Sequence, residues 1–142
     1  MFDKMSLTKA ESILRKTFKK INIKAKFEVK ENRVIATVFD IPVNGKVCNF
    51  LSVMLYREGT CFLSVVVGKT NATVENLQAL NSYNGKSLCW RGYIDDENYL
   101  NFDYENYYIG KRQIKKFLRE NLGSVVDNDT EEYFNMLCDT CK

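Results

Sequence analysis

The residues of this chain best able to do chemistry are two. One is the thiol pair of its tail, Cys138 and Cys141 in "CDTC"; the other is the set of carboxylates crowded into "CWRGYIDDENYLNFDYENYYIG", Cys89 to Gly110. A C-x-x-C pair can hold zinc or exchange disulfides. Zinc would need two more ligands, and with no histidine in the chain these must come from Cys48, Cys61, Cys89, a carboxylate or a second subunit. The same spacing has a plainer reading. Phe134, Leu137, Cys138 and Cys141 fall at i, i+3, i+4 and i+7, one apolar helix face on which a buried thiol acts as a small hydrophobe. That reading is preferred, and no metal or cofactor is assigned. The acidic run does not fit a calcium loop, since it lacks the central glycine among alternating acids and the closing bidentate glutamate. The missing histidine also removes the commonest general base, and no phosphate loop, dinucleotide fingerprint or nucleophile elbow occurs. The expectation is a protein that is not an enzyme, with no catalytic residue.

The 142 residues suit a single domain spanning 1–142. Five cysteines without a scaffold rhythm suit a reducing compartment, and two N-x-T sequons, at Asn71 and Asn128, then carry no meaning. The charged start "MFDKMSLTKAES" shows no secretory core, and the longest apolar run, "CFLSVVVG", is far below the ~20 residues of a membrane span, so the cytoplasm is expected. The net charge of +3 is unevenly placed: up to Val34 there are ten Lys or Arg against four acids, and from Ile35 to Tyr108 five against eight. Lys9, Lys16, Lys19 and Lys20, with the basic segment Lys111 to Arg119, give an alternative reading as a nucleic-acid-binding regulator. A solvated helix face explains the same lysines more cheaply, so nucleic acid is not the expected partner.

The elements that must position these residues follow from hydrophobic period. Thr8 and Glu11 form a capping box for a helix whose stripe is Leu7, Ala10, Leu14, Phe18 and Ile21. From Lys26 the period becomes that of strands, broken by turns at Glu31-Asn32, Asn44-Gly45 and Glu58-Gly59. Two-residue loops at the last two sort the meander into two faces. One holds Val34, Ala36, Val38, Leu51, Val53, Leu55, Phe62 and Val66; the other holds Ile35, Phe39, Ile41, Phe50, Met54, Tyr56, Leu63, Val65 and Val67, with Cys48 and Cys61. Both are apolar, so helices should cover one, and a further element or a second subunit the other. The expected partner or dimer face is Val34, Val38, Leu51, Val53, Leu55, Phe62 and Val66.

After Gly68 a short helix is expected, capped by Thr73, with Val74, Leu77 and Leu80 inward and Asn84-Gly85 ending it. In the aromatic run a three-residue loop, Asp96-Glu97-Asn98, with Asn98 left-handed, puts Trp90, Gly92, Ile94, Leu100, Phe102 and Tyr104 on one face. Arg91 then falls opposite Asp103 and Tyr93 opposite Asn101, leaving Tyr93 and Tyr99 as the only exposed candidates for base stacking. The chain closes with a helical pattern from Gly110 that is either one bent helix or two, with Asp129 and Glu132 recapping the second piece. The class is α+β: N-terminal helix, antiparallel meander, short helix, hairpin, long C-terminal helix.

That order, with "CWRGYIDDENYLNFDYE" leading into an amphipathic C-terminal helix, resembles the YbjN family, which shares the fold of type III secretion chaperones. Family members usually close the acidic turn with glycine, where this chain has Asn98, a residue that also adopts that backbone. The resemblance runs from Phe27 onward and implies a sensory transduction regulator label and a small, chaperone-like homodimer that binds protein, with no catalytic residues to carry over.

Overall fold

The computed structural model describes residues 5–107, 111–127 and 129–142. In chain order the elements are α1 (Leu7–Lys20), β1 (Lys26–Lys30), β2 (Arg33–Val43), β3 (Lys46–Tyr56), β4 (Thr60–Lys69), α2 (Val74–Lys86), β5 (Arg91–Ile94), β6 (Tyr99–Tyr107), α3 (Lys111–Asn121) and α4 (Glu131–Asp139). The end of the aromatic run at 108–110, and Asn128 of the second sequon, lie outside the described residues. The six strands make one antiparallel sheet in the order β1-β2-β3-β4-β6-β5, so the fold is α+β. All four helices pack on one side. Phe18 of α1 meets Phe27, Tyr83 of α2 and Phe134 of α4 meet Phe102, and Phe117 of α3 meets Tyr104, strand residues that share a face. One continuous core results.

The helix ends depart from the expected ones for local reasons. Ser6, not Thr8, caps α1: its hydroxyl accepts the Lys9 N–H at 3.1 Å, and Glu11 pairs instead with Arg15 at 2.7 Å. Thr73 caps α2 as expected, but Val74 and Leu77 are 67% and 45% exposed and the inward face is Asn76, Ala79, Leu80 and Tyr83. The Asn76 amide fixes that rotation by donating to Thr70 Oγ1 at 3.2 Å and to the Asn71 carbonyl at 2.8 Å. The helix also runs through Asn84-Gly85 to Lys86. The C-terminal pattern is two helices: Gly123, at φ +93°, stops the first, and Thr130, not Asp129, stands at the start of the second.

Three of the four hairpins form as their turn residues dictate, the first at Glu31-Asn32, with Glu31 at φ +56° and Lys30 opposite Arg33. Asn44 and Gly45, at φ +50° and +80°, close β2 on β3 with Val43 opposite Lys46. Asp96-Glu97-Asn98, with Asn98 at φ +68°, closes β5 on β6 and sets Arg91 opposite Asp103 and Tyr93 opposite Asn101. Pro42 is tolerated because β1 reaches only to Thr37, which leaves that stretch of β2 on an edge.

The third hairpin is different. Leu55 pairs with Cys61 rather than Phe62, because Gly59 at φ +96° allows a three-residue turn, Arg57 to Gly59, where two residues were expected. One residue of slip moves every β4 side chain to the opposite face. Cys61, Leu63, Val65 and Val67 therefore join the core with Val34, Ala36, Val38, Leu51, Val53 and Leu55, while Phe62 and Val66 turn away from the helices. The residues expected to form the partner face thus divide. Val34, Val38, Leu51, Val53 and Leu55 are buried beneath the helices, and only Phe62 and Val66 lie on the other side. Ile41 and Cys48 also belong to the core: Asp40, at φ +52°, and Asn49 drop out of the β2–β3 ladder, and the strands turn over beyond them.

Candidate functional site: the uncovered face of the sheet

The side of the sheet away from the helices is banded, because antiparallel register lines up residues of like character across strands. Phe39, Phe50, Val66 and Asn101 form one row; Thr37, Ser52, Ser64 and Asp103 the next; Ile35, Met54, Phe62 and Glu105 the third; Arg33 and Tyr56, with Thr60 and Tyr107, the last. Two apolar bands thus flank a polar one. Phe39 is 62% and Tyr107 67% exposed, and the Phe39 and Phe50 rings touch at a centroid distance of 6.2 Å. At the Tyr107 end a depression of about 300 Å³ is lined by Met54, Tyr56, Glu58, Thr60, Phe62, Glu105 and Tyr107.

The polar band has its own electrostatics. Burial raises the Asp103 carboxyl above the ordinary carboxylate range, although the nearby hydroxyls of Ser64 and Tyr93 pull the other way. One oxygen, Oδ1, is buried with no hydrogen-bond partner. The Tyr93 phenol, beside that acid, is pushed up to about 12 by burial and by Asp103. Arg33 adds a second unmet demand: its guanidinium lies 5.6 Å over the Tyr56 ring and 3.6 Å from Glu31, yet its buried Nε has no partner.

Charge is distributed across this face from edge to edge. Lys26, Lys30 and Arg33 stand at the β1–β2 side with Glu28, and Asp103 and Glu105 at the β6 side with Arg91. The face therefore runs from basic to acidic across its apolar centre.

The thiols lie elsewhere: Cys48, Cys61 and Cys138 in the core, Cys141 against it, and Cys89 exposed. All five cysteines are free. Cys138 and Cys48 are buried, with Cys141 packed on Gly68, where a Cβ would stand 3.3 Å from that of Cys141. Burial pushes the Cys48 thiol up to about 11 and raises Cys138 and Cys141 as well. The pair closes the C-terminus of α4, where the carbonyl end of the helix opposes a thiolate, the reverse of the N-terminal setting that activates redox C-x-x-C motifs. Cys61, opposite Leu55, is raised to about 12 by burial alone. Among the described residues no three Cys, Asp or Glu side chains are grouped so as to hold a metal ion.

In the acidic hairpin the carboxylate that looked most chemical is turn scaffold. Asp95 accepts the N–H groups of Glu97 and Tyr99, each at 2.9 Å, and the Asn101 amide at 3.0 Å, which holds it below the usual range. Trp90 and Phe102 are buried, and Tyr93 is exposed, as expected for the rings of this run; Tyr99 is half-buried beneath Lys69. Sequence reasoning missed Arg33, Thr60, Tyr107 and the Ser64–Asp103–Tyr93 group. The one available signal was Gly59, which permits the three-residue turn that selects this face.

No protein-family model matches the chain, and no curated protein matches it. No described helix is long and apolar enough to cross a membrane.

Proposed function

We propose that this chain is a non-enzymatic, chaperone-like protein-binding module of the YbjN kind, cytoplasmic and homodimeric, whose working surface is the uncovered sheet face. One observation carries the reading: among the described residues four helices share one side of a six-stranded sheet, and the other side keeps Ile35, Phe39, Phe50, Met54, Tyr56 and Phe62 without a covering layer. An apolar antiparallel face of this kind is covered in its working state. The charge gradient supports a second copy as the cover. A two-fold axis parallel to the strands lays the basic β1–β2 side of one copy over the acidic β6 side of the other, whereas an axis across the strands sets like on like. The free thiols fit a reducing compartment.

Light scattering on the purified protein should give twice the 16.5 kDa chain mass, and Phe62→Lys with Met54→Lys should give the single mass. Zero-length cross-linking should join β1 lysines to β6 carboxylates between copies. A protein that stays monomeric at high concentration overturns the reading.

A further inference from the structure

The second surface lies in the helix layer, on the far side from the uncovered sheet. α1 and α3 pack side by side, although ninety residues, 21–110, separate them in sequence. Their apolar residues go inward: Ala10, Ile13, Leu14 and Phe18 from one, Ile114, Phe117 and Leu118 from the other. Outward α3 carries Lys111, Arg112, Lys115 and Arg119, and Lys16 and Lys20 of α1 stand near enough to act on the Lys115 ammonium. Four of these, Lys111, Arg112, Lys115 and Arg119, line a hollow of about 390 Å³. Lys115 stands among them half-buried, and its ammonium is held below the usual lysine range by burial and then by Lys111, Lys16, Lys20 and Arg119. In a chain of net charge only +3, this is a local concentration of cations from two helices rather than a general basicity.

The geometry selects among anionic partners. A bilayer surface is held by amphipathic helices that insert apolar side chains, but those of α3 are spent in the core. Acidic protein segments offer carboxylates at no fixed pitch. Lys111, Lys115 and Arg119 repeat at four-residue intervals, about 6 Å along the helix. That is close to the separation of neighbouring phosphates along one strand of a duplex, about 7 Å once the helical turn is added to their ~3.4 Å rise. Four cations and no ring line the hollow, so the surface offers charge for phosphates and no platform for unstacked bases. We propose that the α1–α3 surface binds the phosphate backbone of double-stranded nucleic acid without reading its sequence.

Fluorescence anisotropy of a short labelled DNA duplex with the intact protein tests this, beside vesicles containing phosphatidylserine and a polyglutamate peptide. Binding is expected at 50 mM salt and should weaken about 10²–10³-fold by 200 mM, the dependence of four to six phosphate contacts. Lys16→Gln with Lys115→Gln should cost at least about tenfold at 50 mM salt with the circular dichroism spectrum unchanged. Lys69→Gln with Lys142→Gln, the same change in charge away from α1 and α3, should cost less than about twofold. Lys16→Glu with Lys115→Glu repeats the test with a larger effect. The proposal is overturned by an absence of duplex binding at 50 mM salt, by equal affinity in the neutralised protein, or by tighter binding to vesicles or polyglutamate than to the duplex.

Discussion

Gly92 shows how far single atoms constrain the α2 side of the core. A Cβ there would stand 2.8 Å from Cε1 of Phe102 and 3.0 Å from Cδ2 of Leu80. The Phe102 ring cannot retreat, since Tyr83 and Phe134 pack against it at centroid distances of 4.9 and 5.2 Å. Gly92→Ala should therefore lower stability by about 1–3 kcal/mol in urea unfolding, the usual range for overpacking. Asp103 is the residue whose titration the fold opposes. Its folded-state affinity for the proton is raised by burial, so between the ordinary carboxylate range and that raised value the native state holds more protons than the unfolded chain. Stability from this group is then full at low pH and falls as pH rises through the window. Unfolding curves at a series of pH values should show that decline in the native sequence and its loss in Asp103→Asn, and parallel pH profiles for the two proteins would show that Asp103 contributes none of it.

At the scale of elements, the β2–β3 turn does more than reverse the chain. The Asn44 side chain donates to Ser124 Oγ at 2.9 Å and accepts the Val125 N–H at 2.9 Å, and its own N–H donates to the Gly123 carbonyl at 3.1 Å. The turn thereby clamps the connector between α3 and α4, whose Val125 is fully buried and whose carbonyl accepts the Tyr83 hydroxyl from α2. Asn44→Gly keeps the left-handed backbone and loses the side-chain bonds, so it should cost about 1–2 kcal/mol. Asn44→Ala should cost about 1 kcal/mol more, because alanine resists φ +50°. Equal stability of all three proteins in thermal unfolding would show that the clamp contributes nothing. Gly59→Ala tests the other decisive turn, where φ +96° should make the substitution unfavourable by about 1 kcal/mol or more.

Over the whole molecule, the two sides of the sheet should respond differently to the same change. Phe134 is fully buried between α4 and the sheet, and Phe39 lies on the uncovered side. Phe134→Ala should cost about 3–5 kcal/mol, as large truncations in packed cores do. Phe39→Ala should cost under about 1 kcal/mol in dilute monomer and have its effect on association instead. A large loss from Phe39→Ala at concentrations where the protein is monomeric would mean that this face is closed within one chain.

The strands, their order along the chain, the Asn44-Gly45 turn and the Asp96-Glu97-Asn98 turn were all legible in the residues, since period and left-handed turn propensity act over a few neighbours. So was the bland reading of Cys138 and Cys141 as core. The contents of each face were not. Whether the Glu58-Gly59 turn spans two residues or three depends on Gly59, whose freedom permits both, and the choice falls to whichever register buries Leu63 and Val65 rather than Phe62 and Val66. That competition is settled by helices distant in sequence. Tertiary packing likewise rotated α2 about Asn76 and brought Lys16 and Lys20 near Lys115. Local sequence thus determined which elements form; long-range burial decided which side chains face a partner, because a one-residue shift costs little locally and inverts a whole strand.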